Sequence, residues 1–186
     1  MDALTLTLLF VLIVLVVLYL SQTAARLDRL HHRVDTSRSA LQTQFLDRAN
    51  EVLALASSGR LDPATALVLA DAADAALARG RDSGAAFDPA RCAAESALTR
   101  AVDVAFGDRA TVDDLLDQSG GEATVTDLAS SIQKAAWSRR FHNDAVRSCL
   151  AVRRQRLVRL FRLAGSAPLP RTVELDDEVP AALRSR

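Results

Sequence analysis

The chain is poor in the residue types that mark enzymes and nucleic-acid-binding proteins. Lys134 is its only lysine, aromatic residues make up 4% of its 186 residues, and 23 basic residues balance 23 acidic ones. A zero net charge gives no overall field that attracts nucleic acid, and few rings are available for stacking on bases. No Gly-rich phosphate loop and no serine elbow occur in the sequence. We therefore expect neither a nucleic-acid partner nor an enzyme activity.

Side chains that could bind a metal or act as nucleophiles are scattered along the chain. Cys92 and Cys149 are isolated and form no C-x-x-C motif, so we interpret them as buried thiols that pack like small apolar residues. His31 and His32 are adjacent, and neighbouring helical side chains point in directions too different to chelate one ion. We expect no catalytic residue, no metal and no cofactor.

One long apolar run, Ala3–Leu20, contains no charged residue. At about 1.5 Å per residue, a helix of this length just spans a hydrocarbon core of roughly 30 Å. A cleaved signal peptide would need a basic segment before the run and a small-residue cleavage site after it, and neither is present. We expect a retained single-pass anchor, with a secreted, cleaved protein as the main alternative. Basic residues follow the run and none precedes it, which favours an outside N-terminus and a cytoplasmic body.

After the anchor, the periodicity of apolar residues predicts helices throughout. The first continues from Ser21 to Ser58, with apolar residues spaced by three, four and seven on one stripe. An Asp-Pro pair, an N-cap followed by a proline in the first turn, opens each of the next two helices. These helices span 62–79 and 88–106, with a loop at Gly80–Phe87 between them.

The second half of the chain predicts a short helical turn starting at Thr111 and a long helix from about Glu122 or Thr126 to Ala164. Three prolines then keep the tail extended, and Arg171–Leu175 is the one candidate strand. The predicted fold is all-α: an N-terminal transmembrane helix, an antiparallel up-down four-helix bundle with coiled-coil-like packing, and an extended, mobile C-terminal tail. The corresponding domains are 1–20, 21–165 and 166–186.

Arginines concentrate beside the anchor and near the end of the last helix, where they alternate with Leu, Val and Phe. Such a pattern is typical of a surface for anionic lipid, while a partner protein or a plain solvated helix face are the alternatives. The predicted surface contains Arg26, Arg29, Arg33, Arg153, Arg154, Arg156, Arg159 and Arg162.

Two polar residues fall on the apolar stripe of the last helix. Asn143 and Arg153 are in register with Val146, Leu150 and Leu157. If they face the interior they need polar partners, because an unpaired buried polar group costs about 1–3 kcal/mol. Candidate partners on the first helix are Asp35 and Gln44.

Both ends of the soluble part resemble the LemA family. At the first helix the resemblance rests on Arg29–Asp35, followed by Leu41, Gln44, Arg48, Asn50 and Val52; at the end it rests on Phe141–Arg147, Leu157–Gly165 and Arg171–Glu178. The chain departs from the family pattern at Arg38, where a Trp is usual nearby, at His142 in place of a Tyr, and at Thr172-Val173, where an aromatic pair is usual. Residues 58–133 carry no signature.

The resemblance implies a membrane-anchored helical bundle with its N-terminus outside, and it implies no activity or cofactor. We therefore expect a membrane-anchored scaffold or interaction protein of the cell envelope. Its partners would be the lipid bilayer and another membrane or envelope protein, and it could form oligomers. The alternative role is that of a non-catalytic accessory subunit of a membrane-associated protease or hydrolase.

Overall fold

A computed structural model describes residues 2–82 and 87–184, and the regular structure within these ranges is entirely helical. The all-α prediction is therefore confirmed for the described residues, and the candidate strand at 171–175 is wrong, since those residues are extended but pair with no other strand. The helices are α1 (Ala3–Ser57), α2 (Pro63–Asp82), α3 (Pro89–Phe106), α4 (Arg109–Leu116), α5 (Gly121–Arg153), α6 (Arg156–Leu160) and α7 (Ala181–Arg184).

Helix α1 carries the apolar run and continues without a break into the soluble part. It is long and apolar enough to cross a membrane, and the span is not covered by any part of the described protein. Burial on α1 begins directly after the run, at the half-buried Leu20 and at Thr23, which is 9% exposed. From Leu27 onward one stripe of the helix is buried. A single helix thus changes from apolar on all sides to amphipathic within about one turn.

The predicted boundaries of α2 and α3 agree with the structure at their N-termini. Asp62 accepts hydrogen bonds from the backbone N–H groups of Ala64 and Thr65 at 3.0 and 3.1 Å, and Asp88 accepts one from Arg91 N at 2.7 Å. The short helix predicted to start at Thr111 starts earlier, at Arg109, because Asp108 caps it.

The loop predicted for Gly80–Phe87 is partly helical, because α2 continues to Asp82. A Cβ atom at Gly80 would lie 3.1 Å from Leu46 Cδ2 of α1. The glycine is therefore used inside a helix for close helix packing rather than to end it. Residues 83–86 of the predicted loop lie outside the described residues.

The long helix predicted to reach Ala164 ends at Arg153 instead. Gln155 adopts an extended conformation with ψ 138°, and the short helix α6 follows. No glycine or proline marks this break in the sequence before Gly165. The break coincides with hydrogen bonds from Arg153 to the carbonyls of Ala167 and Pro168.

The described chain divides into two compact units, and these do not follow the predicted domain boundaries. Unit 1 comprises residues 1–36 and 143–172, and unit 2 comprises residues 37–142 and 173–186. The core of unit 1 is built from Leu27, Val34, Val146, Cys149, Val152 and Val158. The larger core of unit 2 collects buried residues from α1, α2, α3, α4, α5 and α7, centred on Val52, Leu69, Leu98, Phe106 and Leu128.

The tail combines an extended stretch with a final helical turn. Residues 167–180 are non-helical, and α7 follows. Val173 is 2% exposed and packs in a small cluster with Leu41 and Phe45, while Leu183 is 4% exposed in the main core of unit 2. Two apolar side chains of the tail are therefore buried within unit 2.

The cap of α3 provides a direct test of these boundaries. Replacing Asp88 with Ala should lower the free energy of unfolding by about 1 kcal/mol, because the first turn loses its side-chain acceptor. Asp88→Asn should retain most of the wild-type stability, because the amide oxygen can still accept the capping hydrogen bond. Asp103→Ala, an exposed site in the same helix, should change stability by less than about 0.5 kcal/mol. Denaturant unfolding of the full-length protein in detergent measures all three, and equal effects of Asp88→Ala and Asp103→Ala would contradict the assignment.

Candidate functional site

In unit 1, α5 runs antiparallel to α1. His31 Nε2 lies 3.2 Å from Arg153 Nη1, and the charge of Asp35 acts on Cys149. Residue numbers on α1 therefore rise as those on α5 fall. The end of α5 is carried back along α1 towards the apolar run.

Arg153 fixes the chain reversal that follows α5. Its guanidinium donates hydrogen bonds to the carbonyl of Pro168 at 2.9 Å and to that of Ala167 at 2.7 Å. Charge-assisted bonds of this kind are stronger than neutral ones. Although the sequence grouped Arg153 with the lipid surface, the half-buried side chain instead holds the returning chain against the end of α5.

Helix α6 ends in a Schellman motif. The N–H of Leu163 donates to the carbonyl of Val158 at 3.0 Å, and the N–H of Arg162 donates to the carbonyl of Arg159 at 3.3 Å. Arg162 has φ 49°, in the left-handed region that this motif requires at its C′ position. Val158 and Leu163 pack in the core of unit 1, which is the apolar contact that accompanies the motif.

The other seven arginines of the predicted surface are exposed. They are Arg26, Arg29, Arg33, Arg154, Arg156, Arg159 and Arg162. Their side chains form no ion pair or hydrogen bond with any residue in the described ranges. Leu160 and Phe161 beside them are 73% and 48% exposed. The structure therefore brings free cations and exposed apolar side chains together on one unit.

Asn143 and the cysteines lie in the interior. Asn143 is 2% exposed and Cys149 is fully buried, while Cys92 is half-buried. Burial raises the pKa of both thiols, which disfavours the reactive thiolate. Gln44, considered as a partner for the buried polar residues, has its amide 3.5 Å from Asp47 of its own helix.

Unit 2 contains a buried ion pair that the sequence analysis missed. Arg48 Nη2 donates to Glu95 Oε2 at 2.6 Å, and both side chains are 2% exposed. The same guanidinium donates to Thr99 Oγ1 at 3.1 Å and to the backbone carbonyl of Glu95 at 3.2 Å. Thr99 Oγ1 in turn donates to the backbone carbonyl of Asp176 at 2.8 Å. This network joins α1, α3 and the tail.

Burial decides the electrostatics of this cluster. It raises the pKa of Glu95, while the charges of Arg48 and Arg91 oppose that rise. Arg91, itself fully buried, has its guanidinium 4.4 Å from the ring centre of Phe87. Because the acid is buried and paired with Arg48, we interpret the cluster as a structural element.

The tail is also clamped to α5. Asp177 accepts two hydrogen bonds from Arg139, from Nε at 2.7 Å and from Nη2 at 2.9 Å. An open groove of about 510 Å³ lies next to this clamp, between α5 and the tail, and Trp137 and Arg140 line it. Trp137 is 49% exposed. Among the described residues, no group of three His, Cys, Asp or Glu side chains is placed to hold a metal ion.

A signal for the buried pair was present in the sequence. Arg48 follows Phe45 by three residues and precedes Val52 by four, so it belongs to the apolar stripe of α1. Glu95 likewise lies three residues before Leu98 and seven before Val102. Opposite charges at stripe positions of two helices are a signature of a buried ion pair, although their pairing requires knowledge of which helices pack together.

Breaking the buried pair should be costly. Arg48→Met should reduce the free energy of unfolding by about 3–5 kcal/mol, because Glu95 is left buried without its partner. The double variant Arg48→Met/Glu95→Leu should regain much of the loss. Arg109→Met is the control, since its pair with Asp113 is 3.9 Å long and more than half exposed, and should cost less than about 0.5 kcal/mol. A double variant no more stable than Arg48→Met would argue against the pair.

The raised pKa of Glu95 predicts a pH dependence. A carboxyl whose pKa is higher in the folded protein than its ordinary value of 4.5 binds protons more tightly when folded, so its contribution to stability is largest below that value. The stability of the wild type minus that of Glu95→Gln should therefore fall as pH rises above about 4.5 and level off beyond the folded pKa. Unfolding curves at a series of pH values measure this difference, and a difference that grows with pH would reverse the sign.

Comparisons with known proteins complete this description. No protein-family model, no curated protein and no solved structure matches the chain. The resemblance to the LemA family therefore stays a prediction based on the residues quoted above.

Proposed function

We propose that the protein is a membrane-anchored helical scaffold or interaction protein, LemA-like in plan and without catalytic activity. The observation that carries this proposal is α1. Its first part is apolar and uncovered, whereas its later part contributes Leu41, Phe45 and Val52 to the interior. A helix with both properties is suited to hold a folded body at a fixed distance from a bilayer.

The continuity of α1 favours an anchor over a cleaved segment. Helical hydrogen bonding persists through residues 20–25, where a secreted protein would need an accessible cleavage site. Thr23 is also packed against the folded body. We infer an N-terminus outside and a cytoplasmic body, because the exposed Arg26, Arg29 and Arg33 follow the span.

An up-down arrangement of α1, α2, α3 and α5 as a four-helix bundle is part of the proposal. It is supported by the shared core of unit 2 and by short connections between successive helices. The exposed Trp137 beside Arg140 in the groove along α5 supports an interaction role, because Trp and Arg are the residues most often found at the centre of protein interfaces. The partner we expect is another membrane or envelope protein.

Topology is the decisive test. An alkaline phosphatase reporter, which is active only outside the cytoplasm, should be inactive when fused after Arg186, whereas a fluorescent cytosolic reporter at the same position should be bright. Moving positive charge across the span, by Asp2→Arg together with Arg26→Gln and Arg29→Gln, should increase the phosphatase signal. An active phosphatase fusion of the unaltered protein would place the body outside and overturn the proposed topology.

A further inference from the structure

We propose that residues 154–162 form a second membrane contact, which docks on anionic lipid headgroups in the leaflet from which α1 emerges. We call the exposed basic and apolar side chains of this segment the α6 surface; they are Arg154, Arg156, Leu157, Arg159, Leu160, Phe161 and Arg162. The inference rests on the proposed function, because α1 must be inserted for the α6 surface to meet lipid.

The antiparallel packing of unit 1 brings the α6 surface close to the end of the apolar run. Arg153 contacts His31, and Val158 shares a core with Leu27. Leu27 is only seven residues beyond Leu20, or about 10 Å along the helix. The headgroup layer adds roughly 5–7 Å to each side of the hydrocarbon core. This packing favours a position of the α6 surface at the level of the headgroups or just above them.

The arginines of the α6 surface are available for an external anion. Their side chains pair with no acid in the described ranges. Two acids of the tail are occupied within unit 2, since Asp177 pairs with Arg139 and Glu178 pairs with Arg184. Arg26, about 9 Å beyond Leu20, is close enough to add to the same field, whereas Arg33, at about 20 Å, exceeds the Debye length of about 8 Å.

The apolar members of the α6 surface identify lipid as the occupant. Leu157, Leu160 and Phe161 are 42%, 73% and 48% exposed. Alternation of exposed apolar and basic side chains suits the boundary between headgroups and acyl chains, where interfacial helices bury their apolar face by about 5–10 Å. A plain solvated face explains the arginines but leaves these apolar side chains in water.

The fold of the segment does not depend on the side chains that would touch lipid. The Schellman motif is formed by backbone groups, and Val158 and Leu163 face the core. Arginine-to-glutamine changes on the α6 surface should therefore alter binding without unfolding unit 1.

Tryptophan quenching in full-length protein can test the contact. Leu160→Trp introduces the probe, and Trp137→Phe removes the natural tryptophan. The protein is reconstituted into vesicles whose lipid acyl chains are brominated near the headgroup, so that they quench a tryptophan at that depth. Vesicles of phosphatidylcholine are compared with vesicles of equal parts phosphatidylcholine and phosphatidylglycerol. Ser148→Trp is the matched control, since this exposed site lies five residues before Arg153 on α5, and Arg153 contacts His31, itself about 16 Å beyond Leu20.

The tryptophan at position 160 should be quenched at least about twofold more in anionic than in neutral vesicles, and the difference should shrink in 1 M salt. The difference in quenching between the two vesicle types should disappear in a variant with four arginine-to-glutamine changes, at Arg154, Arg156, Arg159 and Arg162. A control variant carries the same charge change at four exposed arginines elsewhere and should keep the difference in quenching. Its changed residues are Arg81, Arg100, Arg109 and Arg147.

Equal quenching in both vesicle types, or none in either, would overturn the lipid contact. Flotation of the vesicles at alkaline pH separates this failure from that of the anchor. Protein that floats but is not quenched keeps its anchor and lacks the contact. Protein that does not float refutes both the anchor and the contact.

Discussion

The structure depends on one helix with two kinds of surface: an apolar run that no described residue covers and, further along, a buried stripe. Over its first 18 residues α1 is apolar on every side, and from Leu27 to Val52 it buries one stripe. Because its backbone hydrogen bonds are all internal, the helix can pass from lipid to water without a break. The later part of the same helix contributes buried residues to the cores of both units.

Arginines make several of the long-range polar connections in the described residues. Arg153 holds the carbonyls of residues 167 and 168, Arg139 holds Asp177, and Arg48 joins Glu95 to Thr99. Each connects segments that are far apart in sequence, and the guanidinium can do this because it presents several donors in a fixed plane. With 22 arginines and a single lysine, the chain has many such groups. Those that are paired build the fold, and those on the α6 surface remain free.

Periodicity and capping residues predicted most of the helical architecture. The Asp-Pro starts of α2 and α3 are local signals, so they could be read without knowing the fold. The break after Arg153 could not, because residues 153–164 contain no helix breaker and the helix ends where a side chain binds carbonyls fourteen and fifteen residues away. At Gly80 the sequence predicted a loop where the helix in fact continues. The missing Cβ of this glycine allows close packing against Leu46.

The sequence by itself determined that the described residues are mainly helical, where the long apolar run lies and where arginines gather. These properties depend on neighbours within one or two helical turns, and hydrophobic period, caps and charge runs record them directly. The tertiary structure alone decided which arginines are structural and which are free. A charged side chain has the same local pattern in both roles. Only the packing of α1 against α5 and α3 supplies Arg153 and Arg48 with partners, while it leaves Arg154, Arg156, Arg159 and Arg162 exposed.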